Sequence, residues 1–227
     1  MRRNDGWYMK ILAFEFSSNH RSVAAVERET MGGFRLLAEA VEAATRHTPA
    51  FRLADEVLAK ASWRKGDVEC MAVCLGPGSY TGIRMSLAIA QGWQLMTGGK
   101  VCGIDAPSCL AEKLWRAGER ANVVVAIDAM RGEFYAAEFQ LKGEGWKQLD
   151  DLRITTKAEL EAYQTVGKKV FGPDLQKAFP GAKPLYADAG IVAELAVRKG
   201  EFKAANELEP IYLREVSFVK SPPTRVV

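Results

Sequence analysis

Two carboxylates close apolar runs in this chain: Glu15 ends residues 11–15 (ILAFE) and Asp128 ends residues 123–128 (VVVAID). An acid at the end of a strand that opens on a cleft can hold a cation or a nucleotide-bound metal, and Ser17 adds a neighbouring hydroxyl at the first of these positions. A third segment, Gly76-Pro77-Gly78-Ser79-Tyr80-Thr81-Gly82-Ile83-Arg84, reads as a junction between a buried strand and a helix. Glycine lets backbone N–H groups converge there, and a helix start attracts an anion. It is not a Walker A loop, because no Lys-Ser or Lys-Thr closes it, and no Gly-x-Gly-x-x-Gly fingerprint occurs elsewhere. The histidines are His20, in a turn, and His47, just before an expected helix. Neither makes a His-x-x-x-His pair or sits beside a serine or cysteine in a nucleophile elbow, so no metal pair and no nucleophile–base pair is on offer.

The elements that must position these residues follow from periodicity. Residues 10–16 and 22–26 read as a hairpin, and Gly32-Gly33 marks the next turn. Residues 34–45 are ambiguous: their Ala, Leu and Glu content reads as helix, while a third strand is equally compatible with their position. Thr48-Pro49 reads as the start of a helix running to about Ala61. Residues 71–75 are a short apolar strand of the kind covered on both faces, which points to α/β layers. A helix over residues 81–97 ends at Gly98-Gly99, followed by a strand at 101–104 and a helix at 107–117. From Val123 the pattern restarts: apolar strand, terminal acid, turn, and return strand over residues 133–139. A duplicated strand-acid-hairpin predicts two lobes with a cleft between them. Beyond Lys142 the expectation is a short helix at 157–163, a strand at 169–173, a helix at 189–198, and a last ordered segment at 209–214.

The helix over residues 81–97 carries two rows. Gly82, Ser86, Ala90 and Gln94 are small or modest in size at a spacing of four, flanked by Ile83 and Leu87, while Met85, Ile89, Trp93 and Met96 form a bulkier apolar row. A helix on a sheet needs one such face, and the other wants a partner. Small residues let another helix approach, so the first row is expected to be a helix-to-helix interface: Gly82, Ile83, Ser86, Leu87, Ala90 and Gln94, with His47 and Phe51 as additional candidates.

Across the 227 residues, 31 Lys and Arg stand against 28 Asp and Glu, a formal charge of +3 with the signs interspersed, which does not indicate free-standing nucleic-acid binding. No run reaches eighteen apolar residues and no secretory leader is legible, so the expectation is a cytoplasmic protein with no membrane contact. The four cysteines, Cys70, Cys74, Cys102 and Cys109, lie in apolar surroundings and read as buried thiols of a reducing compartment.

Residues 11–17 (ILAFEFS), the 76–84 junction, 88–92 (AIAQG), Ala126-Ile127-Asp128-Ala129 with Gly132-Glu133-Phe134-Tyr135, and Pro210-Ile211-Tyr212-Leu213-Arg214 together resemble the TsaB family, bacterial subunits of tRNA threonylcarbamoyladenosine biosynthesis. The resemblance covers about residues 10–214. It implies an α/β fold of actin/Hsp70-like type (ASKHA, ribonuclease H-like), two-lobed with duplicated strand-hairpin cores. The first lobe would span 1–105 and carry the partner-binding helices, and the second 106–227, with about 205–227 packing back on the first. It also implies a non-catalytic subunit that scaffolds and activates a TsaD-like catalytic partner, with a TsaE-like ATPase docking on the pair. A homodimer through the same face, and tRNA met only within the complex, belong to the same reading. No cofactor is expected in this chain, and ATP and a metal belong to the partner subunits. The chain departs from the family at Glu15, where an aspartate is usual, and at Phe16, where a threonine is usual. The competing reading is an ATP-dependent small-molecule kinase or ATPase of the same superfamily, with Glu15 and Asp128 placed around Mg-ATP.

Overall fold

A computed structural model describes residues 8–30, 32–43 and 49–213 of the chain. Strands β1 (Met9–Glu15) and β2 (His20–Arg28) form the expected hairpin, with Ile11 opposite Val26 and Glu15 opposite Ser22. The ambiguous segment is a strand, β3 (Phe34–Ala43), paired antiparallel to β2 with a register shift at Ala25/Val26. Its helix-forming residues yield to the ladder that β2 offers and to burial of Ala38 and Ala40 on that surface. Helix α1 (Ala50–Ala61) begins after Pro49, which flanks the helix instead of occupying its first turn; Thr48 and His47 lie outside the described residues.

Strand β4 (Cys70–Cys74) joins β1 in parallel, and β5 (Lys100–Ile104) joins β4, completing a five-stranded sheet of order β3-β2-β1-β4-β5. Between them runs α2 (Tyr80–Thr97), whose first turn is capped by the Ser79 hydroxyl accepting the Gly82 N–H and whose end is Gly98 at φ +66°. Only a residue without Cβ takes that left-handed conformation freely, which is why the helix stops there. Helix α3 (Ala106–Arg116) follows, capped by Asp105.

The second half repeats the hairpin as β6 (Asn122–Asp128) and β7 (Glu133–Lys142), with Ile127 opposite Tyr135. Around it lie β8 (Gly145–Gln148), β9 (Arg153–Thr156), α4 (Lys157–Thr165), β10 (Lys169–Gly172), β11 (Lys183–Pro184) and α5 (Ala189–Lys199). The second sheet runs β11-β10-β6-β7-β8, with β9 also on β7. The short strands β8, β9 and β11 are not among the elements expected from the sequence.

Strand periodicity sorts the core into three layers. Leu12 and Phe14 of β1 face outward under α1 and α2, whereas Ile11 and Ala13 face a central core that also holds Val123, Val125 and Phe139 of the second sheet. Helices α3 and α5 fill that central layer. A third cluster, with Val124, Ala126 and Leu160, covers the outer face of the second sheet beneath α4. Helix α5 comes from the second half of the chain but packs on β1, β2 and β4 of the first sheet. Residues beyond α5 return to the first sheet as well: Lys203 bridges to Val101, Ala205 and Leu208 enter the outer core under α2, and the Ile211 N–H reaches the Leu75 carbonyl. All four cysteines are buried and unbridged.

Candidate functional site: an apolar groove and a sealed acid

The small row of α2 faces inward. Gly82, Ile83, Ser86, Leu87 and Ala90 are buried in the lobe's own core, which corrects the expectation that they form an interface. A Cβ added at Gly82 would lie 2.0 Å from the Phe16 carbonyl oxygen, and one at Gly78 would lie 2.1 Å from that of Ser17. Smallness at these positions serves the close approach of the chain leaving β1, not that of a foreign helix; the Ser79 N–H to Ser17 carbonyl bond at 2.7 Å seals the contact. Ser86 spends its hydroxyl on the Ile83 carbonyl. Gln94 is also occupied within the chain: its amide accepts the Ala205 N–H at 2.6 Å and donates to the Gly99 and Lys203 carbonyls, so it fastens the segment after α5 onto α2.

Among the described residues the bulky row borders an open groove, with Trp93 buried, Met85 and Ile89 half-buried and Met96 exposed. Helix α1 packs on β2 and β3, while α2 packs mainly on β4 and also touches β1 and β5. The groove between them has a volume of about 820 Å³ and a floor of Leu12, Phe14 and Met71. Met85, Ala88, Ile89 and Met96 form one wall, with Phe51 and Leu58 on the other. Phe51 is 72% exposed and Met96 82%, a large apolar area left in water. Arg52, Asp55 and Lys65 are its charged members, and Arg52 is already paired with Glu42 and Glu56. Phe51 thus lies where the sequence put a candidate, whereas His47 falls outside the described residues.

Glu15 does not open on a cleft. The alternation that turns Ile11 and Ala13 inward turns Glu15 inward too, and it is 0% exposed. Its Oε1 accepts the Ser17 N–H at 2.9 Å and the Ser17 hydroxyl, while Oε2 is buried without a hydrogen-bond partner. Burial raises its pKa to about 7, against the lowering effect of the Ser17 and Cys74 contacts, and the Asp188 charge adds to the rise. Asp188 caps α5 by accepting the Ile191 N–H and pairs with Lys113 at 3.1 Å. Beside it, Glu39 accepts the Gly190 N–H, and its pKa is raised by burial first and the Asp188 charge second.

Asp128 behaves differently. It follows the outward parity of Val124 and Ala126, is exposed, and accepts the Met130 N–H at 2.7 Å, so it closes its own turn. The two acids therefore do not converge on one ligand. Among the described residues no group of three or more His, Cys, Asp or Glu is placed to hold a metal ion, and no helix is long and apolar enough to cross a membrane.

Comparison with known proteins fits this architecture. The family model described as TsaD, tRNA N6-adenosine threonylcarbamoyltransferase, matches residues 41–170, more than half of the chain. The tRNA threonylcarbamoyladenosine biosynthesis protein TsaB of Escherichia coli K12 is 27% identical, over 94% of this chain and 99% of that protein. TsaB of Haemophilus influenzae is 27% identical over 94% of this chain and 98% of its own length. TsaB of Buchnera aphidicola from Schizaphis graminum reaches 33% over a shorter span, 57% of this chain and 60% of that protein. The solved structure of YeaZ from Pseudomonas aeruginosa superposes with a TM-score of 0.72 at 22% identity, covering 90% of this chain and 99% of that one. The fold is the actin-like, ASKHA type: two lobes, each built on a duplicated strand-hairpin sheet. The chain belongs to the family of TsaD, tRNA N6-adenosine threonylcarbamoyltransferase, and within it is a homologue of bacterial TsaB.

Proposed function

We propose that this chain is the TsaB-type subunit of tRNA threonylcarbamoyladenosine biosynthesis, contributing no reacting group and pairing with a TsaD-type catalytic subunit through the α1/α2 groove. The observation that carries the reading is the groove itself: an open apolar channel of about 820 Å³ between two helices of the first lobe. Interiors are close-packed, so a channel of this size over a sheet is a surface awaiting side chains. An amphipathic helix laid along it would cover Met85, Ile89, Met96 and Phe51, and each large side chain withdrawn from water contributes about 1.5–3 kcal/mol. In this reading the first lobe, residues 1–105, presents the partner face, and the second, residues 106–227, supports it from behind.

Several finer features belong to the same proposal. A TsaE-like ATPase docks on the pair, ATP and its metal are held by the partners, and tRNA is engaged within the assembly. In the partner's absence two copies of this chain can shield the groove from each other. The kinase reading loses its main support, since Glu15 is sealed in the core and half-protonated near pH 7.

The test is co-expression with the TsaD-type subunit of the same organism, followed by a threonylcarbamoylation assay on tRNA with and without this chain. Co-purification at one-to-one stoichiometry and modification dependent on this chain are expected. Full activity of the catalytic subunit without it would overturn the proposal.

A further inference from the structure

At the start of α2, on a part of the helix outside the groove lining, Tyr80, Arg84 and Tyr212 make a cluster assembled from segments more than a hundred residues apart. The Tyr80 and Tyr212 rings stack with centroids 5.5 Å apart and an interplanar angle of 25°. The Arg84 guanidinium lies 4.3 Å from the Tyr80 centroid and 6.0 Å from that of Tyr212, and its Nε reaches the Tyr212 hydroxyl at 3.4 Å. Tyr80 remains 57% exposed and Tyr212 39%, so both residues stay accessible to solvent after the cluster has formed. Arg52, Arg64, Arg116 and Arg153 are each paired with a carboxylate. Arg84 has none among the described residues, its contacts being the two tyrosines.

We infer that this cluster is a stacking platform for a single-stranded segment of RNA, with a base on the open tyrosine surface and the adjoining phosphate on Arg84. Bases stack on aromatic rings and on guanidinium planes whatever their sequence, and an unpaired arginine adds the phosphate contact. The platform stands at the positive end of an 18-residue helix, which favours the same anion. It is also assembled before any ligand arrives. Tyr212 is delivered by the segment that Gln94, Val101 and Leu75 hold to the first lobe, so few rotamers remain to be ordered on binding. An acidic peptide would satisfy Arg84 but would leave the ring faces unused. The interspersed surface charge argues against tight binding and does not bear on a contact made by two rings and one cation. The choice of RNA among polyanions rests on the function proposed above.

The test is an NMR titration of the isotope-labelled full chain with a single-stranded RNA hexamer at about 50 mM salt, where phosphate contacts are least screened. Saturable shifts are expected at Tyr80, Thr81, Arg84 and Tyr212. Arg84→Gln and Tyr80→Leu should each weaken binding about tenfold, the latter keeping bulk but removing the π-face. Arg64→Gln, the same charge loss at an arginine paired with Asp67, should change it less than about twofold. Absence of shifts at the cluster, equal weakening by Arg64→Gln, or equal binding of an acidic peptide would each overturn the inference. The titration uses this chain alone, so its outcome is read independently of whether pairing with a catalytic subunit succeeds.

Discussion

Glu15 shows how one side chain at a strand end can look functional in sequence and be structural in space. Its unpartnered Oε2 and complete burial disfavour the ionised form, so the folded state holds a proton that the unfolded chain releases at about pH 4.5. The sign follows directly. A pKa raised to about 7 in the folded state gives a contribution fully present below pH 4.5, lost progressively as pH rises to 7, and absent above. The span corresponds to about 3 kcal/mol. Glu15→Gln, which cannot ionise, should match the parent near pH 5 and exceed it in stability near pH 8. Urea unfolding at both pH values measures this; an identical pH dependence in parent and variant would show that Glu15 is not the group responsible.

Helix α2 presents the same lesson one scale up. Both of its rows were visible in the sequence, but the row chosen as an interface is the one the lobe uses for itself. A charged residue at Ala90 should therefore unfold the chain, because an unpaired charge in that core costs about 3–5 kcal/mol. Met96→Asp, on the exposed groove wall, should leave the thermal transition nearly unchanged and abolish co-purification with the catalytic subunit. Circular dichroism melts of the two variants, read beside the pull-down, separate the faces. A folded, pairing-deficient Ala90→Asp together with a pairing-competent Met96→Asp would reverse the assignment.

At the scale of the molecule, the two sheets do not have separate cores. One cluster runs from Ile11 and Ala24 through Cys109 and Val192 to Val123 and Phe139, and α5 covers a face of the sheet built by the other half of the chain. The joint is pinned by the Ala189 N–H on Ser22, the Gly190 N–H on Glu39, and the His20 ring stacked on Tyr186 at 4.1 Å. Unfolding should then be a single transition. Tryptophan fluorescence, which reports Trp7, Trp63 and Trp93 in the first half and Trp115 and Trp146 in the second, should change at the same urea concentration as far-UV circular dichroism. Two separated transitions would mean that the lobes fold independently despite their shared core.

The amino-acid sequence by itself determined the hairpins at 10–26 and 123–139, the helix end at Gly98, the burial of the thiols, and the repetition that made two lobes predictable. These are written in alternation, capping chemistry and apolar runs, all of which act over a few residues. Three features were decided only by the tertiary structure: that residues 34–43 become a strand, which face of α2 is covered, and that Glu15 turns into the core. Each depends on a neighbouring element: the open edge of β2 just before residues 34–43, the Phe16 carbonyl against Gly82, and α5 laid across the first sheet. Local pattern supplies the candidates, and the long-range approach of other backbone selects among them.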